Sequence, residues 1–128
     1  MNATELARHL LQATYYDSID RGDMASAVLA LHPDIDWSHV QVWEHHDYRR
    51  RAEPTRLKGR QAVHDLLAER VKKLAEAGIR HRIRQLVCDG SQGAFLAAVE
   101  GPGREIPFFG WFELRDGLVG RYVLRPVE

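Results

Sequence analysis

The C-terminal part of the chain does most to limit the fold. Four segments there, 79–88, 94–100, 105–115 and 118–125, are strand-like, and the breaks between them are Asp89-Gly90, Gly101-Pro102-Gly103 and Asp116-Gly117. Glycine takes the positive φ that tight hairpins require, so each break turns a strand back on its predecessor and the four run as an antiparallel meander. In the third segment Phe108, Gly110, Phe112 and Leu114 alternate with Phe109, Trp111 and Glu113. Successive side chains point to opposite faces, so both faces of this sheet are aromatic, whereas a face turned to water reads polar. One face is expected to line an interior and the other to meet a second copy of the chain. In the first segment Arg80, Arg82 and Arg84 share one face and Ile79, His81, Ile83 and Gln85 the other. The arginine row reads as a solvated or subunit-interface face.

Helical patterns precede the strands. From Thr4 to about Arg21, Leu6, Leu10, Ala13 and Tyr16 follow a helical repeat, with Leu11, Tyr15 and Ile19 on an adjoining stripe. Gly22 ends that helix, and Asp23 is placed to cap a second one from Met24 to Leu31. Pro33 and Asp34 break it, and Ile35, Trp37 and His39 then alternate with Asp36 and Ser38 in a short strand. Residues 40–58 lack a consistent period and read as a long loop. Gly59 precedes a third helix, Arg60 to Ala77, stopped by Gly78. The order predicts an α+β fold in one domain over residues 1–128: a cone-shaped, curved antiparallel sheet packed on three helices, its concave side partly unfilled. That space is the candidate pocket.

Composition narrows the partners. Lys plus Arg and Asp plus Glu both total 18, so the long-range field that gathers nucleic acid or an anionic membrane is missing. The single Cys88 forms no internal disulfide and reads as a buried small residue, which makes a reducing cytoplasm the expected location. The N-terminal stretch has no apolar h-region, so neither a signal peptide nor a membrane span is expected there.

Taken together, the helix ending in DRGDMASAVLAL, the DIDW strand, the LKGRQAVHDLL segment and the WFELRDGLVGRY hairpin resemble the nuclear transport factor 2-like, or SnoaL-like, superfamily of the cystatin-like cone fold. Ketosteroid isomerases, polyketide cyclases, limonene epoxide hydrolases and scytalone dehydratases belong to it. The resemblance implies roles for individual residues. In ketosteroid isomerases a tyrosine eight residues before the Asp that opens the second helix donates to the substrate oxyanion, and Tyr15 stands at that separation from Asp23. The isomerase's general-base Asp aligns with His39, which also moves protons near neutral pH. Its second oxyanion donor, a protonated Asp, aligns near Gly110, which argues against authentic ketosteroid isomerase activity.

The expected site is therefore His39 as general acid or base and Tyr15 as hydroxyl donor, with Tyr16 equally available. Trp37, Trp43, Phe108 and Phe112 are expected to wall the substrate. No cofactor and no metal are expected: His45 and His46 are adjacent, and a strand would point them to opposite sides. Their loop reads as a lid in which Trp43 and Tyr48 cover the substrate, or the two histidines as surface residues with no role. The ligand class is a small, largely apolar, carbonyl-bearing molecule. Two functions stay open: acid/base enzyme without a cofactor, or non-catalytic ligand-binding or protein-association module.

Overall fold

The computed structural model describes residues 1–43 and 53–127. Six strands form one sheet in the order β2-β1-β6-β5-β4-β3, with β1 at Leu31–His39, β2 at Thr55–Lys58, β3 at Arg80–Asp89, β4 at Gln92–Gly101, β5 at Arg104–Arg115 and β6 at Leu118–Pro126. The expected meander is β3 to β6, and its turns use positive φ at Gly90, Gly103 and Gly117. Neighbouring strands are antiparallel except β1 and β6, which run parallel with Trp37 beside Tyr122. The architecture is the expected α+β layering. Among the described residues no helix is long and apolar enough to cross a membrane.

Two parts of the N-terminal half differ from the sequence expectation. The second helix, α2, is short: Met24–Ala27 is α-helical and Val28–Ala30 3-10, and the chain becomes extended at Leu31. Pro33 is accommodated because the pairing of β1 with β6 is irregular between Leu31 and Asp36, where no ladder N–H is demanded of it. Strand β2 lies inside the stretch read as loop. With four residues and Leu57 its one large apolar side chain, it is too short to carry a period, and it forms by pairing Leu57 with Trp37 of β1. The third helix, α3, spans Arg60–Ala77 and ends at Gly78 with φ 64°, as expected. It is tied to β1 by Gly59 N–H donating to the Ile35 carbonyl at 2.8 Å and by the Arg60 guanidinium on the Leu31 carbonyl at 2.9 Å.

The first helix, α1, is α-helical over Ala3–Arg8, π-helical over His9–Tyr16 and α-helical again over Asp17–Asp20. Its buried residues come in adjacent pairs five apart, Leu10 with Leu11 and Tyr15 with Tyr16, which is the repeat of an i→i+5 helix. The wider turn brings both tyrosines inward and leaves Ala13 exposed, contrary to the simple helical stripe. Asp23 caps α2 through Ser26 N–H at 3.1 Å.

Curvature comes from bulges and from glycines that admit rings. The register shifts at Arg84 of β3, between Ile83 and Gln85, and at Gly120 of β6, opposite Glu113 and Leu114, and such extra residues bend a strand. Past the β3 bulge the inward positions pass from Ile79 and Ile83 to Leu86, so Gln85 is exposed rather than inward. On β5, Gly110 faces Phe95 across the ladder, and a Cβ there would lie 2.1 Å from Phe95 Cζ. The aromatic ring thus fills the place a side chain at Gly110 would take. Gly110→Ala is expected to destabilise the fold by about 1–3 kcal/mol through overpacking, with part recovered in Phe95→Leu/Gly110→Ala. Urea midpoints of the two variants check this.

Candidate active site in the cone

The wide end of the cone, between the concave sheet, α1 and α3, encloses a narrow cavity with about 40 Å³ open to the centre of a water molecule. Tyr15, Trp37, His39, Trp43 and Phe108, all singled out from the sequence, line it. Phe112 does not: it is fully buried toward the narrow end, over Gly93, with the Phe95 ring between it and Phe108 at 6.3 Å from each. His45, His46, Tyr48 and the Arg49-Arg50-Arg51 run lie outside the described residues. Among the described residues no group of three His, Cys, Asp or Glu side chains is placed to hold a metal.

Hydroxyls cluster at the centre. Trp37 Nε1–H donates to Tyr15 Oη at 3.1 Å, which leaves the Tyr15 proton available to a ligand. Tyr16 and Tyr122 share a hydrogen bond at 2.6 Å, and one of its two protons remains available. Burial pushes all three hydroxyls well above the usual tyrosine range, so they are O–H donors at every physiological pH. Together they form a preorganised donor set of the kind that stabilises a developing oxyanion.

Two imidazoles reach the cavity from distant strands. His39, on β1, stacks on Trp37 at 5.0 Å between ring centroids and 7° between planes, and its ring nitrogens make no hydrogen bond among the described residues. Burial, then the positive charge of Arg70, pushes its pKa down to about 3. His39 is thus a neutral hydrogen-bond acceptor with weak affinity for a proton. His81, on β3, stacks on Tyr16 at 5.1 Å and 7°. Its Nδ1 lies 2.7 Å from Asp20 Oδ1, and its backbone N–H donates to Asp20 Oδ2 at 2.7 Å. The sequence carried two unused signals for this pair: His81 has the parity of Ile79 and Ile83, and Asp20 follows Tyr16 by one helical turn.

The mouth is organised by Gln41, which donates to the Trp43 carbonyl at 2.7 Å and accepts from Arg70 at 3.0 Å. Trp43 packs its ring against Gly101, where a Cβ would lie 2.2 Å away, and the Arg104 guanidinium lies over the ring at 4.4 Å from its centroid. Tyr122, Gln41 and Arg70 were not legible as site residues, since each sits in an element whose pattern reads as ordinary strand, loop or helix surface.

The sequence of this architecture matches the SnoaL-like domain model over residues 13–122. The chain belongs to the SnoaL-like domain family. No curated protein matches it. Among solved structures, a protein from Kribbella flavida proposed to be a ketosteroid isomerase aligns with a TM-score of 0.68 at 19% identity, over 98% of this chain and 80% of that one. A nuclear transport factor 2-like protein of unknown function from Mesorhizobium loti aligns with a TM-score of 0.69 at 12% identity, over 100% and 96%. A limonene-epoxide-hydrolase-like epoxide hydrolase from M. tuberculosis aligns with a TM-score of 0.60 at 18% identity, over 94% and 82%. At these identities the SnoaL-like fold is shared, and the chemistry has to be argued from the residues.

The His39 environment has a consequence for stability. Its folded pKa of about 3 lies below the unfolded value of about 6.5, so between them only the unfolded chain takes up the proton. This contribution is complete above about pH 6.5 and is lost as pH falls toward 3, by about 1.4 kcal/mol per pH unit. From pH 7 to pH 5 the wild-type protein is expected to lose up to about 2 kcal/mol more than His39→Gln, measured by urea unfolding at each pH.

Proposed function

We propose that this SnoaL-like cone is an acid/base active site for a small, largely apolar, carbonyl-bearing molecule, working without a cofactor in the reducing cytoplasm. The observation that carries this reading is the convergence of three neutral tyrosine hydroxyls and two imidazoles on one aromatic cavity. Tyr15, with the Tyr16–Tyr122 pair, polarises the carbonyl and donates to the enolate as charge develops, where exclusion of water strengthens each bond. His39 and His81 are the groups on hand to exchange a proton with the adjacent carbon. Trp37, Trp43 and Phe108 wall the apolar body of the ligand. Isomerisation, cyclisation and dehydration all use these elements.

A second reading, a non-catalytic ligand-binding module, draws on the narrowness of the cavity and on Tyr16 and Tyr122 bonding each other. Both readings require a ligand in the cone, and they differ in whether an oxyanion is preferred. Naphtholate, a flat mimic of an enolate, is expected to bind and quench Trp37 and Trp43. Tyr15→Phe should weaken naphtholate about 10-fold or more, as for loss of a bond to a charged acceptor, and weaken naphthalene far less. Equal loss for the two probes supports the binding module, and no binding of either removes both readings.

The outer face of the sheet supports a homodimer. Val87, Leu96 and Phe109 are 68%, 49% and 43% exposed, and Leu96 and Phe109 are cross-strand neighbours. Arg84 with Glu100, and Arg121 with its cross-strand neighbour Glu113, bring both signs of charge to the patch, which suits a two-fold contact with a second copy. Light scattering at micromolar concentration should give the mass of two chains, and that of one chain for Leu96→Glu/Phe109→Glu. A wild-type mass of one chain would remove the dimer.

A further inference from the structure

The geometry points to His81, positioned by Asp20, as the group that takes and returns the substrate proton, with His39 confined to accepting a hydrogen bond. This inference rests on the acid/base reading of the cone and assigns its proton carrier.

Three observations carry it. First, the Asp20 carboxylate only accepts, so the His81 nitrogen 2.7 Å from it, Nδ1, carries the ring proton. The lone pair is then on Nε2, which has no hydrogen-bond partner among the described residues on a ring that lines the cavity. Second, the clamp is rigid. Asp20 binds both the ring and the backbone N–H of His81, and the ring is held face-on by Tyr16 and edge-on by Phe108 at 6.1 Å. Third, when Nε2 takes a proton the resulting imidazolium has a carboxylate already bonded to it, and such a partner both fixes the tautomer and stabilises the cation. His39 has the opposite surroundings, burial and the nearby guanidinium of Arg70, which oppose a positive charge.

The ionisable and aromatic groups around His81 come from three elements. Asp20 and Tyr16 lie on α1, Phe108 on β5, and His39 across the lumen on β1. Asp20 also lines an outer cleft with Asp17, Arg21, Arg80 and Arg82, so its far side meets solvent although the side chain is only 12% exposed. In the proposed step Nε2 removes the proton from the carbon beside the carbonyl. The C–H electron pair becomes the enolate, whose oxygen the tyrosine hydroxyls hold, and Nε2 later returns the proton to carbon or oxygen.

A nitrobenzisoxazole tests the assignment on the full chain. Its ring opens when a base removes the C–H proton: the C–H pair forms the nitrile, the N–O bond breaks, and a coloured cyanonitrophenolate leaves. His81→Gln is expected to lower kcat/KM by about 100-fold or more, the loss typical of a general base, and His39→Gln by no more than about tenfold. Asp20→Asn keeps an acceptor for the His81 backbone N–H but offers an amide donor to the ring, which reverses the tautomer. It should lower kcat and change its pH dependence while leaving KM nearly unchanged, and ¹⁵N NMR should move the His81 proton from Nδ1 to Nε2. Near-ultraviolet dichroism establishes that each variant is folded. Turnover that survives in folded His81→Gln but fails in His39→Gln overturns the assignment and keeps the acid/base reading. A wild-type protein that leaves the probe unopened overturns both.

Discussion

The wide end of the cone depends on how α1 is fastened to the free edge of the sheet. Strand β3 is an edge strand, and an edge presents unpaired N–H and C=O groups that water or another chain would otherwise satisfy. Here two side chains of α1 do so. Gln12 donates to the His81 carbonyl at 2.8 Å and accepts from Ile83 N–H at 2.7 Å, and Asp20 accepts from His81 N–H. The helix stands where a seventh strand would pair. Because these bonds fix both the rotation and the height of α1, they also fix Tyr15 and Tyr16 between the attachment points. The π-helical turns are part of the same fit: Asp17 N–H reaches the Gln12 carbonyl five residues back, and Gln12 also donates to the Asp17 side chain at 2.9 Å.

From that attachment the polar character of the interior follows. The hydroxyls come from α1 and β6, and the walls from β1, β4 and β5 are rings or aliphatic chains. Buried polar groups are tolerated only when bonded, and the tyrosines meet that demand partly through each other and through Trp37. They have hydrogens left over, and that surplus distinguishes a site from a core. Phe95 over Gly110 illustrates the reverse case, where the place of a side chain is filled by carbon with no polar group to satisfy.

Much of the fold was legible because its signals are local. The hairpins at Asp89-Gly90, Gly101-Pro102-Gly103 and Asp116-Gly117, the Gly78 stop and the Asp23 cap are each set by backbone preferences of one or two residues. The alternation of Ile35, Trp37 and His39 was equally readable. Strand β2 was not, since only its partner β1 makes it a strand. The bulge in β3 and the π turn in α1 each shift a periodicity by one residue, and a fixed period applied across them misplaces Gln85 and Ala13. The Asp20–His81 pair was hidden because the two residues are 61 positions apart. Phe112 has the correct parity for the interior, but its height along the cone, which parity does not report, keeps it from the cavity.

The two imidazoles sit on β1 and β3, with β6, β5 and β4 between them in the sheet. The curl of the sheet brings these remote strands round to face one cavity. A flat intermediate lodged between the two imidazoles would turn one side toward β1 and the other toward β3. If a single one of the two delivers the proton, it arrives on one prochiral face only. The handedness of the product would then be written into the strand order itself.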